Sequence, residues 1–353
     1  MEQTDELFGE ISCDEIQSMM DQILGQNTFS FSGYIDQILQ GNLPFSVQDT
    51  LQTILRGFAA NIAQEKKMYM YLVLIALLGA ILGNFAGLMQ GGQVAEVAFY
   101  AVYLLFFSVL LTAFTSIAQI AQATLESLFD FVRVLVPSFF SAMVFSQGSA
   151  GTEVYYQFTL CMIAAVDCVL VKFVLPAIHI YFLLQVANQI SPQDMFSKMA
   201  DLIHDAVRFV MKAMFGIMMG INVIQGMIVP LTTKLEQSAF LKMAGAIPGV
   251  GNTVSSVAGT MLCAGALVKN AIGAVGVIAV LFCCGIPLLR LYLHKFLFQI
   301  VNAVIQPVAD KRIVQCISAM AQTVALLAYA VFVGCMMFVI SIALMSVMTG
   351  NGN

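Results

Sequence analysis

The sequence predicts an all-α, polytopic integral membrane helical bundle of about six spans, with re-entrant or interfacial helices besides, on three observations. Of the 353 residues, 60% are apolar and only 10% are charged, whereas soluble domains carry roughly 25% charge. The mean hydropathy is +0.89. Several apolar runs reach the roughly 20 residues that a bilayer crossing needs. A formal net charge of −5 leaves no basic footprint for nucleic acid. Of the eight cysteines, Cys13 is the one outside an apolar segment. None sits in a CxxC pair, so they read as packing residues and not as zinc or redox chemistry.

Residues 1–66 form an acidic, amphipathic helical region that holds ten of the twenty acids and no run long enough to span. It begins MEQTDELFGE, without the basic and apolar regions of a signal peptide. Ser12 and Glu15 form a capping box. Ile16, Met20, Ile23 and Leu24 then share one helical face, and Gly25 stops the helix. A second amphipathic helix opens at Ser46, with Leu51, Ile54, Leu55, Phe58 and Ile62 on one stripe. These helices lie on the membrane surface or the bundle, or serve as a docking surface for a partner.

The transmembrane domain covers 67–349, leaving a tail at 350–353. The first span, 68–89, carries Gly79, Gly83 and Gly87 at the four-residue spacing of a close helix contact. A second span runs over about 97–117. Residues 118–153 contain Glu126, Asp130 and Arg133, and Pro137 is expected to break them. Pro176 divides the next apolar run into a span at 154–174 and an interfacial helix at 176–190. A basic amphipathic segment with Lys198, His204, Arg208 and Lys212 leads into a span ending at Pro230. From Leu241 to Leu281 there are seven glycines and no aromatic residue. Pro248, Gly249, Gly251 and Asn252 are read as a re-entrant turn, and Gly259, Gly265 and Gly273 as packing positions of the helix that follows. A span at about 270–286, a Pro-led helix over 287–305, a turn at Asp310–Arg312 and a last span to Met348 complete the chain.

An offset of 111 residues suggests a parallel internal repeat, 97–190 on 208–306. It lays Pro137 on Pro248 and Pro176 on Pro287, and it matches Phe129 with Phe240, Gly148 with Gly259 and Tyr181 with Tyr292. Basic residues, Lys269 counted among the interfacial ones, fall seven to each side, so the positive-inside rule leaves orientation undecided.

Asp167 and Lys172 are the charges set deepest in a span, and ionisable residues there are functional candidates. Five residues apart, they lie about 140° from each other on a helix and cannot pair. Each therefore makes a polar contact inside the bundle or faces an ion or solute pathway. Asn222 and Gln225 share a helical face and are expected to bond a neighbouring helix. There is no P-loop, HExxH or GxSxG motif. His179, His204 and His294 stand singly and are placed at interfaces. No catalytic residue, metal site or cofactor is expected, and active transport would need a partner or a gradient.

The run at 240–281, with IPGVGNTVS at 247–255 and LVKNAIG at 267–273, and the stretch FSVQDTLQTILRGF at 45–58 resemble the stage III sporulation protein AE family of endospore-forming Firmicutes. The resemblance covers nearly the whole chain. It implies a permease-like membrane component of the channel complex joining mother cell and forespore, needed for late forespore development. It places the protein in the mother-cell membrane surrounding the forespore. Implied partners are the other proteins of the stage III sporulation A operon, including its ATPase and ring-forming subunits, and indirectly the forespore's stage II sporulation protein Q. Relatives often begin with a signal-like apolar segment, a point of departure here. If 1–66 are exported as in those relatives, 190–212 and 288–312 fall in the cytoplasm. Two alternatives remain: a passive scaffold for assembling the complex, and a gradient-driven small-solute transporter.

Overall fold

The computed structural model describes residues 13–24, 30–39, 67–81, 92–147, 150–190, 194–245 and 251–348. Every regular element among them is helical. In chain order these are α1 (Cys13–Leu24), α2 (Phe31–Leu39), α3 (Lys67–Ile81) and α4 (Gly92–Gln147). Then come α5 (Ala150–Val169), a π-helical turn (Leu170–Val174) and α6 (Leu175–Ile190). The last three are α7 (Ser197–Gly245), α8 (Gly251–Ile305) and α9 (Lys311–Met348). Five of these helical runs are long and apolar enough to cross a membrane: α4, the continuous α5–α6 run, α7, α8 and α9. The protein is an all-α membrane helical bundle.

Helix α9 is its axis. The most apolar stretch of α9 is 67% buried within the protein, against 22–44% for the other four. Its fully buried residues include Ile313, Ile317, Met320, Val324, Leu327 and Val331, which alternate steps of four and three, the seam pattern of helices packed at a shallow angle. Gly334 continues the seam. A Cβ there would stand 3.0 Å from Leu125 of α4 and 3.2 Å from Leu170 of the π turn, so the missing side chain is what admits both leucines. Helix α9 packs against α8 most extensively and also against α4, α6 and α7.

The prolines act differently from the sequence expectation. Pro137 and Pro287 lie inside uninterrupted helices of 56 and 55 residues. Thus 97–117 and 118–147 are one helix, and so are the expected span at 270–286 and the Pro-led helix after it. Within a bundle, neighbouring helices and small local adjustments offset the hydrogen bond a proline removes. Pro176 does leave a mark. The chain stays helical from Ala150 to Ile190, but the Leu175 N–H reaches back to the Leu170 carbonyl and closes a π turn just before the proline. Ile178, Tyr181, Phe182 and Val186 of α6 are buried, so 176–190 is a packed part of the bundle and not an interfacial helix. Each proline lacks an N–H, which leaves the carbonyls of Arg133, Lys172 and Cys283 without their usual i→i−4 donor.

Part of the acidic N-terminal region lies on the bundle. Ile16 and Met20 of α1 are fully buried against α4 and α8, and Phe31 and Ile35 of α2 against α8. Helix α1 ends at Leu24, just before Gly25. The Gln17 side-chain oxygen accepts from the Phe31 N–H at 2.7 Å and fixes one short helix to the other. The second expected amphipathic helix, beginning at Ser46, lies outside the described residues. Buried polar contacts tie distant segments together: Tyr69 Oη to His294 Nδ1 at 2.6 Å, and the Tyr103 hydroxyl to the Val186 carbonyl at 3.1 Å. His294 is therefore buried, not interfacial. Asn188 accepts from the Phe196 N–H and donates to Asp194, holding the α6–α7 connection.

Candidate functional site: a polar helix face and groove on α4

Apolar residues dominate α4, yet its exposed side changes character along the helix. Up to Leu105 the exposed side chains include Val97, Leu104 and Leu105, as suits a surface against lipid. Beyond that point the exposed positions are Ser108, Thr112, Thr115 and Ser116, then Gln119, Gln122, Glu126, Asp130 and Arg133, with Ala123 as the one apolar exception before Pro137. Steps of three and four put them on one face. From Ser108 to Arg133 the helix rises about 38 Å, at least the roughly 30 Å of a hydrocarbon core. Such a face belongs against water or polar protein, since acyl chains offer its groups no hydrogen bonds.

Local bonds occupy several of the donors on and beside this face. Thr112, Thr115 and Thr124 donate back to the carbonyls of Ser108, Leu111 and Ile120 at 2.6–2.9 Å, which leaves hydroxyl lone pairs pointing away from the helix. Gln122 donates to Glu126 at 2.8 Å. Arg133 holds Asp130 at 3.1 Å and Asp167 of α5 at 2.6 Å. The three side chains form an ion chain across two helices and together carry one net negative charge.

Beside this face runs an open groove of about 620 Å³. One wall is α4, with Ser116, Gln119, Ser127 and Asp130. The facing wall is α8, with Cys283, Ile286, Pro287 and Arg290, and Met19 of α1 closes the side. Pro287, in the same wall, removes the i→i−4 donor that the Cys283 carbonyl would otherwise receive.

The sequence-predicted positions fall as follows. Asp167 meets Arg133 and is half-buried, while Lys172 is exposed in the π turn. The buried Asn222 side chain donates to Ser341 Oγ of α9 at 2.7 Å, and the Ser341 hydroxyl donates to the Met337 carbonyl. Asn222 Oδ1 is buried with no hydrogen-bond partner among the described residues. The surroundings of the Gln225 side chain lie outside the described residues, as do Pro248, Gly249, Gly83 and Gly87. Gly251 and Asn252 stand in the first turn of α8. Gly259 lies within α8 and Gly265 is buried there. A Cβ on Gly79 would stand 3.1 Å from Val102, and one on Gly273 3.1 Å from Ser346. Lys269, expected at an interface, is instead fully buried. Sequence reasoning missed the groove residues Ser116, Gln119, Ser127 and Arg290. It saw Arg133 without pairing it to Asp167. The three-and-four spacing of polar residues from Ser108 onward is the signal that could have found the face.

The Asn222–Ser341 bond yields a first prediction. In a double-mutant cycle of Asn222→Ala and Ser341→Ala, unfolding in detergent should give a coupling of about 1 kcal/mol; additive losses would mean that the bond adds nothing to the α7–α9 contact.

Among the described residues no group of His, Cys, Asp and Glu could hold a metal ion, and Cys284 of α8 and Cys335 of α9 are buried free thiols. Long apolar helices make this a polytopic membrane protein, with one polar helix face and an open groove beside it. More particularly, the chain belongs to the stage III sporulation protein AE family, whose sequence profile matches residues 29–349. The stage III sporulation protein AE of Bacillus subtilis (strain 168) is 20% identical over 323 residues, covering 91% of this chain and 81% of that relative. No solved structure matches the chain.

Proposed function

We propose that this protein is the permease-like membrane component of the channel complex between mother cell and forespore, and that it resides in the mother-cell membrane around the forespore. Its partners are the operon's ATPase and ring-forming subunits and, through them, stage II sporulation protein Q. The protein supplies a path rather than a reaction. The observation that carries this reading is the polar side of α4: a bilayer's thickness of hydroxyls, amides and charges on a helix otherwise built for lipid. Polar groups placed there at a desolvation cost mark solute and ion pathways.

The competing reading is a passive scaffold, and the closely packed glycines at 273, 276 and 334 favour it. The two separate on one variant. Ser116→Leu with Gln119→Leu makes the face apolar at exposed positions, so folding is expected to survive. A conduit then accumulates in the membrane, still co-purifies with its complex and fails to support late forespore gene expression. Normal late expression at normal protein levels would favour the scaffold and remove the permease reading.

A further inference from the structure

Two short helices of the N-terminal region sit at the edge of the groove between α4 and α8. Helix α1 has 12 residues and α2 has nine, lengths at which a helix in water is marginal without tertiary contacts. They pack on α4, on α8 and on each other. Their fully buried anchors are Ile16 and Met20 on α1 and Phe31 and Ile35 on α2. Glu15 and Ser18 of α1 are exposed, and the bond from the Phe31 N–H to Gln17 clasps one helix to the other at 2.7 Å. The Cys283 thiol of α8 stands 3.9 Å from the Met20 sulfur. Cys283 is only 3% exposed, although it belongs to the lining of the groove, as does Met19. Met20 is thus in contact with a thiol that borders an open space of about 620 Å³.

We propose that α1 and α2 form a lid on this groove, which lifts from α4 and α8 as a unit while the long helices stay packed. Four fully buried apolar side chains anchor both helices, whereas six line a single seam of α9. Segments with few buried contacts open at a lower free energy than the core that carries them. Lifting takes Met19 from the side of the groove and uncovers Cys283. The polar wall of α4, with Ser116, Gln119 and Ser127, is then open from a second side. The lid does not depend on the permease reading, because its test reads a thiol and not sporulation.

Full-length protein in lipid nanodiscs would be treated with N-ethylmaleimide, and the alkylation of each cysteine followed by peptide mass spectrometry. Cys161 and Cys263 are exposed and report the unhindered rate, while Cys316 and Cys335 of α9 are buried and report the bundle. In the native protein Cys283 should react more slowly than Cys161 and faster than Cys316 and Cys335, since enclosed thiols are inert. Ile16→Ala with Ile35→Ala removes one anchor from each short helix. It should raise the Cys283 rate by about tenfold or more, with Cys316 and Cys335 unchanged and membrane levels kept. Gln17→Ala opens the clasp at a half-buried position and should give a smaller rise in the same direction. An unchanged Cys283 rate in the double variant would show that α1 stays fixed. A parallel rise at Cys316 and Cys335 would show that the bundle itself loosens. Loss of the double variant from the membrane would make the two helices part of the core. Each of these three outcomes overturns the lid.

Discussion

Gly276→Leu is expected to drop out of the membrane, while Gly276→Ala accumulates at reduced levels. A Cβ built on Gly276 of α8 stands 2.7 Å from Cδ2 of Leu135 on α4, well inside van der Waals contact. Leu135 is itself buried, between Val132, Val136 and Phe139 of its own helix. The encroaching atom is the tip of a side chain, so a single methyl can be met by a turn of Leu135. An isobutyl group cannot, because α4 and α8 pack along their length and neither backbone can retreat alone. Overpacking of this kind costs about 1–3 kcal/mol and sometimes more, a large part of a typical domain's stability of about 5–15 kcal/mol. Leu135→Ala, introduced with Gly276→Leu, should recover part of the lost protein, because it returns volume at the point of contact. Immunoblots of membrane fractions measure both effects. Wild-type levels of Gly276→Leu, or no recovery in the double variant, would show that α4 and α8 do not meet at this point.

Composition made the fold class legible, since 60% apolar and 10% charged residues leave few alternatives to a membrane bundle. The small-residue spacing likewise pointed at Gly79 and Gly273, both of which the structure places against neighbouring side chains. What stayed hidden depends on tertiary context. A proline reads as a break because it removes one hydrogen bond and crowds the preceding turn. In α4 and α8 the surrounding helices outweigh that local cost, and both run straight through. The polar face was legible in principle but was divided by the expected boundary near Ile117, which assigned Ser116 and Gln119 to different elements. The Asp167–Arg133 pair joins residues 34 apart in sequence, and nothing local announces it. Arg290 and Asp130 line one groove only because α4 and α8 are neighbours, which a reading of one helix at a time does not reveal.

The second large effect concerns Lys269. Its side chain is fully buried, on a helix whose adjacent Val268, Ala271 and Ile272 are buried as well. Lysine is almost never enclosed to this degree without a partner, and Lys269 does make polar or electrostatic contact within the protein. Three substitutions separate its charge from its bulk. Lys269→Glu places an anion where the surroundings accommodate a cation, and protein levels should fall furthest. Lys269→Met keeps the length of the stem and removes the charge. Leaving a buried polar partner unsatisfied costs about 1–3 kcal/mol, so accumulation should fall, though less than with glutamate. Lys269→Arg keeps the charge but must fit a larger planar head into an enclosed space, and should lie between wild type and methionine. The ranking Lys, Arg, Met, Glu in membrane accumulation therefore tests whether the positive charge itself organises the interior around α8. If Lys269→Glu accumulates like wild type, the amine must reach water, and the buried position of this part of α8 is wrong. If methionine matches lysine while glutamate fails, the side chain serves by filling space, and the charge is tolerated rather than required.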